Sequence, residues 1–266
     1  MTGSSGTDRC RTSPCFIGSA GWPLPTAVRD EFGPGGSLLE RYATSLSGVE
    51  INASFYRPHQ AKTYARWAAS VPANFRFSVK LPRAITHERR LVDCEAALDE
   101  FLAQAGHLGD KLGALLVQLP PSLAWRSAQA EAFFAVLHER HGGAVVVEPR
   151  HASWFAEDAQ ALLRAHGAVL VNADPAPCAG ALWPVREAVQ AQRPAIVYYR
   201  LHGAPRMYYS AYDEGMLRAL AQRMADDARH AKSVWCIFDN TAEGAATANA
   251  LTMQALLAHT LVQNKK

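Results

Sequence analysis

The chain has 266 residues, 49% of them apolar and 19% charged, with a formal net charge of +3. That balance fits a globular protein with a sizeable core, in one barrel-sized domain or two smaller ones. The slight positive excess permits an anionic ligand without demanding nucleic acid, and five scattered cysteines with no CxxC spacing argue against a disulfide framework or a structural zinc site and suit a reducing cytoplasm.

The opening stretch MTGSSGTDRCRTSP has no apolar centre that could act as a signal sequence, and no run approaches the ~18 apolar residues of a membrane span. It is expected to be a disordered tail (1–14) ahead of one domain (15–264), in a cytoplasmic protein with no membrane partner. Eight β-type runs then follow: Cys15–Ser19, Gly48–Asn52, Phe75–Lys80, Gly113–Leu119, Ala144–Glu148, Ala168–Asn172, Ile196–Gly203 and Ser233–Asn240. Between them, stretches such as EAALDEFLAQAGHLG, SAQAEAFFAVLHERHG and EGMLRALAQRMADDARH place apolar residues three and four apart, the period of a helix with one buried face. Strand–helix alternation repeated eight times predicts an α/β protein, a single (β/α)8 TIM-type barrel with eight parallel strands. A doubly wound open sheet is the alternative. GSAGW (Gly18–Trp22) lacks the phosphate-binding glycine fingerprint which that fold would want after its first strand.

In such a barrel the functional groups stand at the carboxyl ends of the strands, and alternate residues face inward. The second run then offers Glu50 and Asn52, the third Ser78 and Lys80, the fourth Gln118, and the fifth Glu148 and Arg150. The sixth offers Asn172 and nearby Asp174, the seventh Arg200 and His202, and the eighth Asp239-Asn240, of which alternation does not say which points in. Inward charges are costly unless paired or used, so a polar pocket is expected where they converge. An ion network that only holds the strand ends together is the structural alternative.

GSAGW, VEINASFYRP, FRFSVKLPRAITHERRL, LLVQLPPS, VEPRHASWF, YYRLHG and FDNTAEGAATANAL resemble, in that order, the motifs of the YecE-like proteins, the family of unknown function catalogued as number 72. The resemblance runs from about Phe16 to the final helix. It implies a TIM-type barrel and no established activity. The likeness of such barrels to endonucleases and sugar isomerases suggests nucleic-acid or phosphate ligands, as an analogy of fold. The chain departs from the family pattern at Ser19 and Ala20, where Thr and Ser are usual, and at Pro149 and Ala152, where an aromatic and a proline are usual. It departs again at Asp239, where a further Asn is common. These changes bear on ligand contacts, not on the fold.

Arg150, Arg200 and Lys80 are what a phosphate or carboxylate needs, a planar fork and a compact charge. His202 or Glu148 is expected to move a proton while Asn52, Gln118 and Asn240 orient the substrate. His87 belongs to the basic loop KLPRAITHERRL, whose Arg89 and Arg90 read as solvated, and His151 adjoins Arg150. Aromatics gather near the same rim (Trp22, Phe55, Tyr56, Trp154, Phe155, Tyr208, Tyr209 and Tyr212). Most such rings pack loops, with Tyr208 and Tyr209 the exceptions expected to stack on a ligand.

The leading reading is an enzyme, a hydrolase, lyase or isomerase acting on a small phosphorylated or nucleotide- or sugar-like anion, with Glu50, Lys80, Glu148 and His202 as the reacting groups. Rival readings are a nucleic-acid-binding or nuclease-like barrel and glycoside hydrolysis by Glu50 with Glu148, although neighbouring cations would keep both carboxyls ionised. Lys80 as a Schiff-base nucleophile beside arginines is a further option. No cofactor or specific protein partner is indicated. A divalent metal has weak support, because HxH and HExxH are missing, and cations would oppose it even if His59, His87, His151 and His202 converged.

Overall fold

The computed structural model describes residues 12–179, 181, 183, 189 and 193–264. Most of the expected tail therefore lies outside the described residues. Its last part is tied down, with Ser13 N–H donating to Ala228 O (2.8 Å) and Pro14 O accepting from Val234 N (3.0 Å).

Each of the eight β-type runs coincides with observed strand. In chain order these are β1 (Cys15–Ser19), β2 (Gly48–Ile51), β3 (Arg76–Lys80), β4 (Leu112–Gln118), β5 (Val145–Glu148), β6 (Ala168–Leu170), β7 (Asn172–Asp174), β8 (Val197–Leu201) and β9 (Val234–Phe238). The sixth run is split between β6 and β7. β6 pairs with β5 and β7 pairs with β8, so the ladder changes neighbours at Val171, whose N–H still donates to Val147 O at 2.9 Å. All pairings are parallel, in a four-stranded sheet β1-β9-β8-β7 and a five-stranded sheet β2-β3-β4-β5-β6. The two sheets meet again at a parallel bridge between Ala20 and Glu50.

Helices α1 (Leu38–Tyr42), α2 (Ala61–Ala69), α3 (Glu95–Ala105), α4 (Ser127–Arg140), α5 (Glu157–Ala165), α6 (Glu214–Asp227) and α7 (Ala245–Gln263) follow strands, as parallel crossovers require. Local chemistry starts several of them. Ser37 and Glu40 close a capping box on α1, and Asp213 accepts from Met216 N at 2.9 Å on α6.

Alternation sorts the strand residues into two apolar layers. Val49, Ile51, Phe77, Val79, Val147 and Tyr199 pack outward with the helices. Phe16, Leu116, Val146, Tyr198, Trp235 and Ile237 pack inward with one another. The inward faces of the two sheets touch. Trp235 on β9 lies so near Gly113 on β4 that an added Cβ would meet its ring at 2.4 Å, and Gly18 lets β1 approach β2, where a Cβ would meet Gly48 O at 1.9 Å. Burying a ring of this size contributes on the order of 3 kcal/mol. It also floors the interior beneath the inward residues at the carboxyl ends.

Candidate functional site

Above that apolar floor, inward positions turn from hydrophobic to charged. Arg200 on β8 is 1% exposed and its guanidinium is taken up by three carboxylates. Its Nε and Nη2 donate to Glu50 Oε2 (3.0 Å) and Oε1 (2.7 Å), a bidentate pair, while Nη1 donates to Glu148 Oε2 at 3.1 Å and Nη2 lies 3.1 Å from Asp239 Oδ2. Tyr198 OH, two residues back on the same strand face, sits 3.1 Å from Glu50 Oε2 and 2.9 Å from Ser78 Oγ. Arg200, expected to hold a substrate anion, is thus committed to the protein's own carboxylates. Alternation finds the side on which a cation points, not the anion it meets.

His202 bridges two of the same carboxylates. Its Nδ1 lies 3.0 Å from Asp239 Oδ2 and its Nε2 lies 3.0 Å from Glu148 Oε1. Arg150 Nη2 reaches both Glu148 Oε1 and His202 Nε2, the latter at 2.8 Å. Burial pushes the Glu148 carboxyl up, but Arg200, His202 and Arg150 outweigh it and hold the group well below the usual carboxylate range. Asp239 is lowered in the same way, burial opposing and Arg200 and His202 prevailing. Glu148 is therefore a base or a fixed charge near neutral pH, not a general acid, which weighs against the paired-carboxylate glycosidase reading.

Lys80, at the end of β3, differs from the other cations. It is 6% exposed, and no hydrogen bond or ion pair joins its Nζ to any described residue; the ammonium instead lies 4.0 Å from the centroid of the Phe55 ring. Burial, followed by the field of Arg200, lowers its pKa to about 8 against the opposing pull of Glu50, Asp239 and Glu148. The main chain around it is fixed: Ser54 Oγ donates to Lys80 O at 2.6 Å, and Leu81 N–H donates to Leu116 O at 2.9 Å. His87 stacks edge-on against the same Phe55 ring at 4.8 Å, with Nδ1 2.9 Å from Thr86 Oγ1. Burial and then Lys80, Arg83 and Arg90 lower the His87 pKa. Asn52 Oδ1 and Arg150 Nε are buried without a hydrogen-bond partner among the described residues. Gln118, half-buried, pairs in register with Glu148.

Several expected residues lie elsewhere. At β9 it is Asp239 that joins the network, since Trp235 and Ile237 set the inward parity. Asn240 turns outward, and its Nδ2 ties Ser210 O (2.9 Å) to Asn249 Oδ1 (3.0 Å). In the sixth run Val171 and Ala173 face inward, so Asn172 does not; it lines a cavity of about 540 Å³ beside β6 and β8 with Leu163, Leu170 and Ile196. Asp174 accepts from Tyr212 OH at 2.7 Å. His151 caps its own turn through Ser153 N–H at 3.2 Å. Tyr209 lies under Arg206, 3.7 Å from guanidinium carbon to ring centroid. Its neighbour Tyr208 instead packs edge-on against His202 at 5.7 Å, at a backbone φ of 69° that bulky residues rarely adopt. Tyr56, 73% exposed, lines a separate cavity of about 270 Å³ with Arg83, Glu88 and Phe101. Arg89 and Arg90 bond to Asp93 O and to Ser122, as a loop facing water would.

Tyr198 is the member of this network that the alternating pattern did not single out, although its spacing from Arg200 and His202 places it on the same strand face. Among the described residues no group of three or more His, Cys, Asp or Glu side chains has metal-holding geometry, and no helix is long and apolar enough to cross a membrane.

Residues 16–266 match the family model described as protein of unknown function DUF72. The UPF0759 protein YecE of Escherichia coli (strain K12) is 32% identical over 153 residues, 56% of this chain and 54% of that protein. The chain thus spans about half the length of this relative. The UPF0759 protein YunF of Bacillus subtilis (strain 168) is 24% identical over 268 residues, 91% of this chain and 94% of that protein. Among solved structures, a DUF72 family protein of Thermotoga maritima superposes with a TM-score of 0.76 at 25% identity, covering 92% of this chain and 99% of its own. One from Enterococcus faecalis does so with 0.73 at 24%, covering 92% and 95%. With the seven ordered motifs and a family model spanning nearly its whole length, the chain belongs to the DUF72 family of proteins of unknown function.

Proposed function

We propose that the chain is an enzyme acting on a small anionic substrate, phosphorylated or nucleotide- or sugar-like, at the carboxyl ends of its strands. In this reading the two sheets work as one closed eight-stranded (β/α)8 barrel, with β6 and β7 sharing the sixth position. The Ala20–Glu50 bridge and the Val171–Val147 hydrogen bond support closure at the two seams. The described cysteines Cys15, Cys94, Cys178 and Cys236 are free, in keeping with a reducing, cytoplasmic setting.

The observation that carries the functional reading is Lys80, a buried cation without a counter-ion among the described residues, beside a network in which the other cations are paired. A buried charge left unpaired is costly, and an anionic ligand would remove that cost. Lys80 and the free Nε of Arg150 hold the anion, and Asn52 and Gln118 orient it. His202, fixed between Asp239 and Glu148, moves the proton. Arg200 and Glu50 keep the frame rigid. Calorimetric titration with inorganic phosphate tests this. Binding by the wild type and at least about tenfold weaker binding by Lys80→Met are expected; equal binding by both, or none by the wild type, overturns it.

A second reading rests on the exposed Tyr56, Met207, Tyr208 and Tyr209, all on loops that follow strand ends, which could stack on bases. It requires retention on single-stranded DNA or RNA that weakens steeply with salt. No retention at low salt removes it.

A further inference from the structure

We infer that Lys80 is a nucleophilic amine that forms an imine with the carbonyl carbon of a small anionic aldehyde or ketone, such as an oxo-acid or a phosphorylated sugar. This rests on the anion-binding reading above and narrows its substrate class. Three features of the structure point the same way.

First, the amine has no partner to give up. Every described hydrogen bond and ion pair at this end of the strands leaves Nζ free, so its lone pair is available once the proton has gone. Second, the surroundings disfavour its charge. A site that needed only a permanent cation would be better served by arginine, whose guanidinium does not deprotonate in proteins. A lysine buried against Phe55 and in the field of Arg200 has its pKa brought down to about 8. The neutral amine is then far more populated near neutral pH than in an ordinary lysine, whose pKa is about 10.4. Third, a proton carrier stands close by: His87 shares the Phe55 ring with Lys80 and is itself held toward the neutral form.

The step balances without an outside oxidant or reductant. The Nζ lone pair attacks the carbonyl carbon, and the C=O π pair moves onto oxygen, which takes a proton to give a carbinolamine. The C–O bond then breaks, and water leaves with the carbonyl oxygen and, in net, both hydrogens of the neutral amine. The new C=N bond joins Nζ to the substrate, whose anionic group rests against Arg150 Nε.

Glyoxylate, a small anionic aldehyde, with cyanoborohydride is the test on the full-length protein. Reduction converts the imine to a stable carboxymethyl-lysine that peptide mass mapping locates. Lys80 is expected to be alkylated about tenfold faster than the exposed Lys62 and Lys232, and excess inorganic phosphate should slow Lys80 alone. Lys80→Arg should lose that adduct and keep the surface ones. Alkylation of Lys80 no faster than Lys62 in the folded wild type overturns the inference, and if phosphate still binds calorimetrically, the anion reading survives without it. Fast alkylation that phosphate does not slow supports the nucleophile and overturns the anion reading instead.

Discussion

The two halves of the charged layer are built on opposite terms. On the β5, β8 and β9 side, Glu148, Arg150, Arg200, His202 and Asp239 pair with one another at distances near 3 Å, with Glu50 reaching across to join them and Arg150 Nε left without a partner among the described residues. On the β3 side, Lys80 has a ring beneath it and no counter-ion among the described residues, next to a histidine whose charge is disfavoured. A saturated network is a frame, because breaking any pair strands a buried charge. An unsaturated cation in the same low-dielectric setting is held at a cost that only a ligand or a lost proton relieves. The difference separates Arg200 and its carboxylates, which shape the site, from Lys80, which is left to meet the substrate.

The largest effect should come from the saturated half. Arg200→Met strands Glu50, Glu148 and Asp239 and is expected to remove about 3–5 kcal/mol of unfolding free energy, read from urea unfolding. A change below about 1 kcal/mol would mean that the three carboxylates find other partners. Acid should weaken the same half more gradually. Glu148 and Asp239 sit below their ordinary values of 4.5 and 3.8, so the folded state binds fewer protons than the unfolded one. Their stabilisation is complete above about pH 4.5 and is lost as pH falls through the depressed values. Glu148→Gln should flatten the dependence of the urea midpoint on pH below 4.5, and an unchanged slope would contradict the pairing. The smallest effect separates adjacent tyrosines. Tyr208→Ala should shift the NMR signals of the His202 ring it touches. Tyr209→Ala, which removes only a ring under Arg206, should leave them in place and change stability by less than ~0.5 kcal/mol.

Strand positions and inward faces were readable in the sequence because hydrophobic alternation reports both directly. Glu50, Lys80, Glu148, Arg150, Arg200 and His202 were all assigned to the right end of the right strand. Which charges cancel was not readable, since Arg200 and Lys80 look alike as inward cations and only three-dimensional proximity to Glu50 and Asp239 separates them. Alternation itself held in both doubtful runs: Val169, Val171 and Ala173 face inward in the sixth, and Trp235 and Ile237 lead to Asp239 in β9. Its phase was not readable where apolar residues occupy both faces, which is why Asn172 falls on the side opposite to the one expected. Loops carry no period, so nothing in the sequence distinguishes Tyr208 from Tyr209, or shows His151 bonded to its own turn.

Urea unfolding of the wild type and Lys80→Met, each with and without inorganic phosphate, tests the central contrast most directly. A lysine pKa lowered from 10.5 to about 8 means that the folded state resists the proton, so stability is reduced below about pH 8 and recovers as pH rises toward 10.5. Lys80→Met should therefore be more stable than the wild type at pH 7, by on the order of 3 kcal/mol, and phosphate should raise the midpoint of the wild type alone. A variant less stable than the wild type, with phosphate acting equally on both, would make Lys80 one more member of the frame and contradict the account.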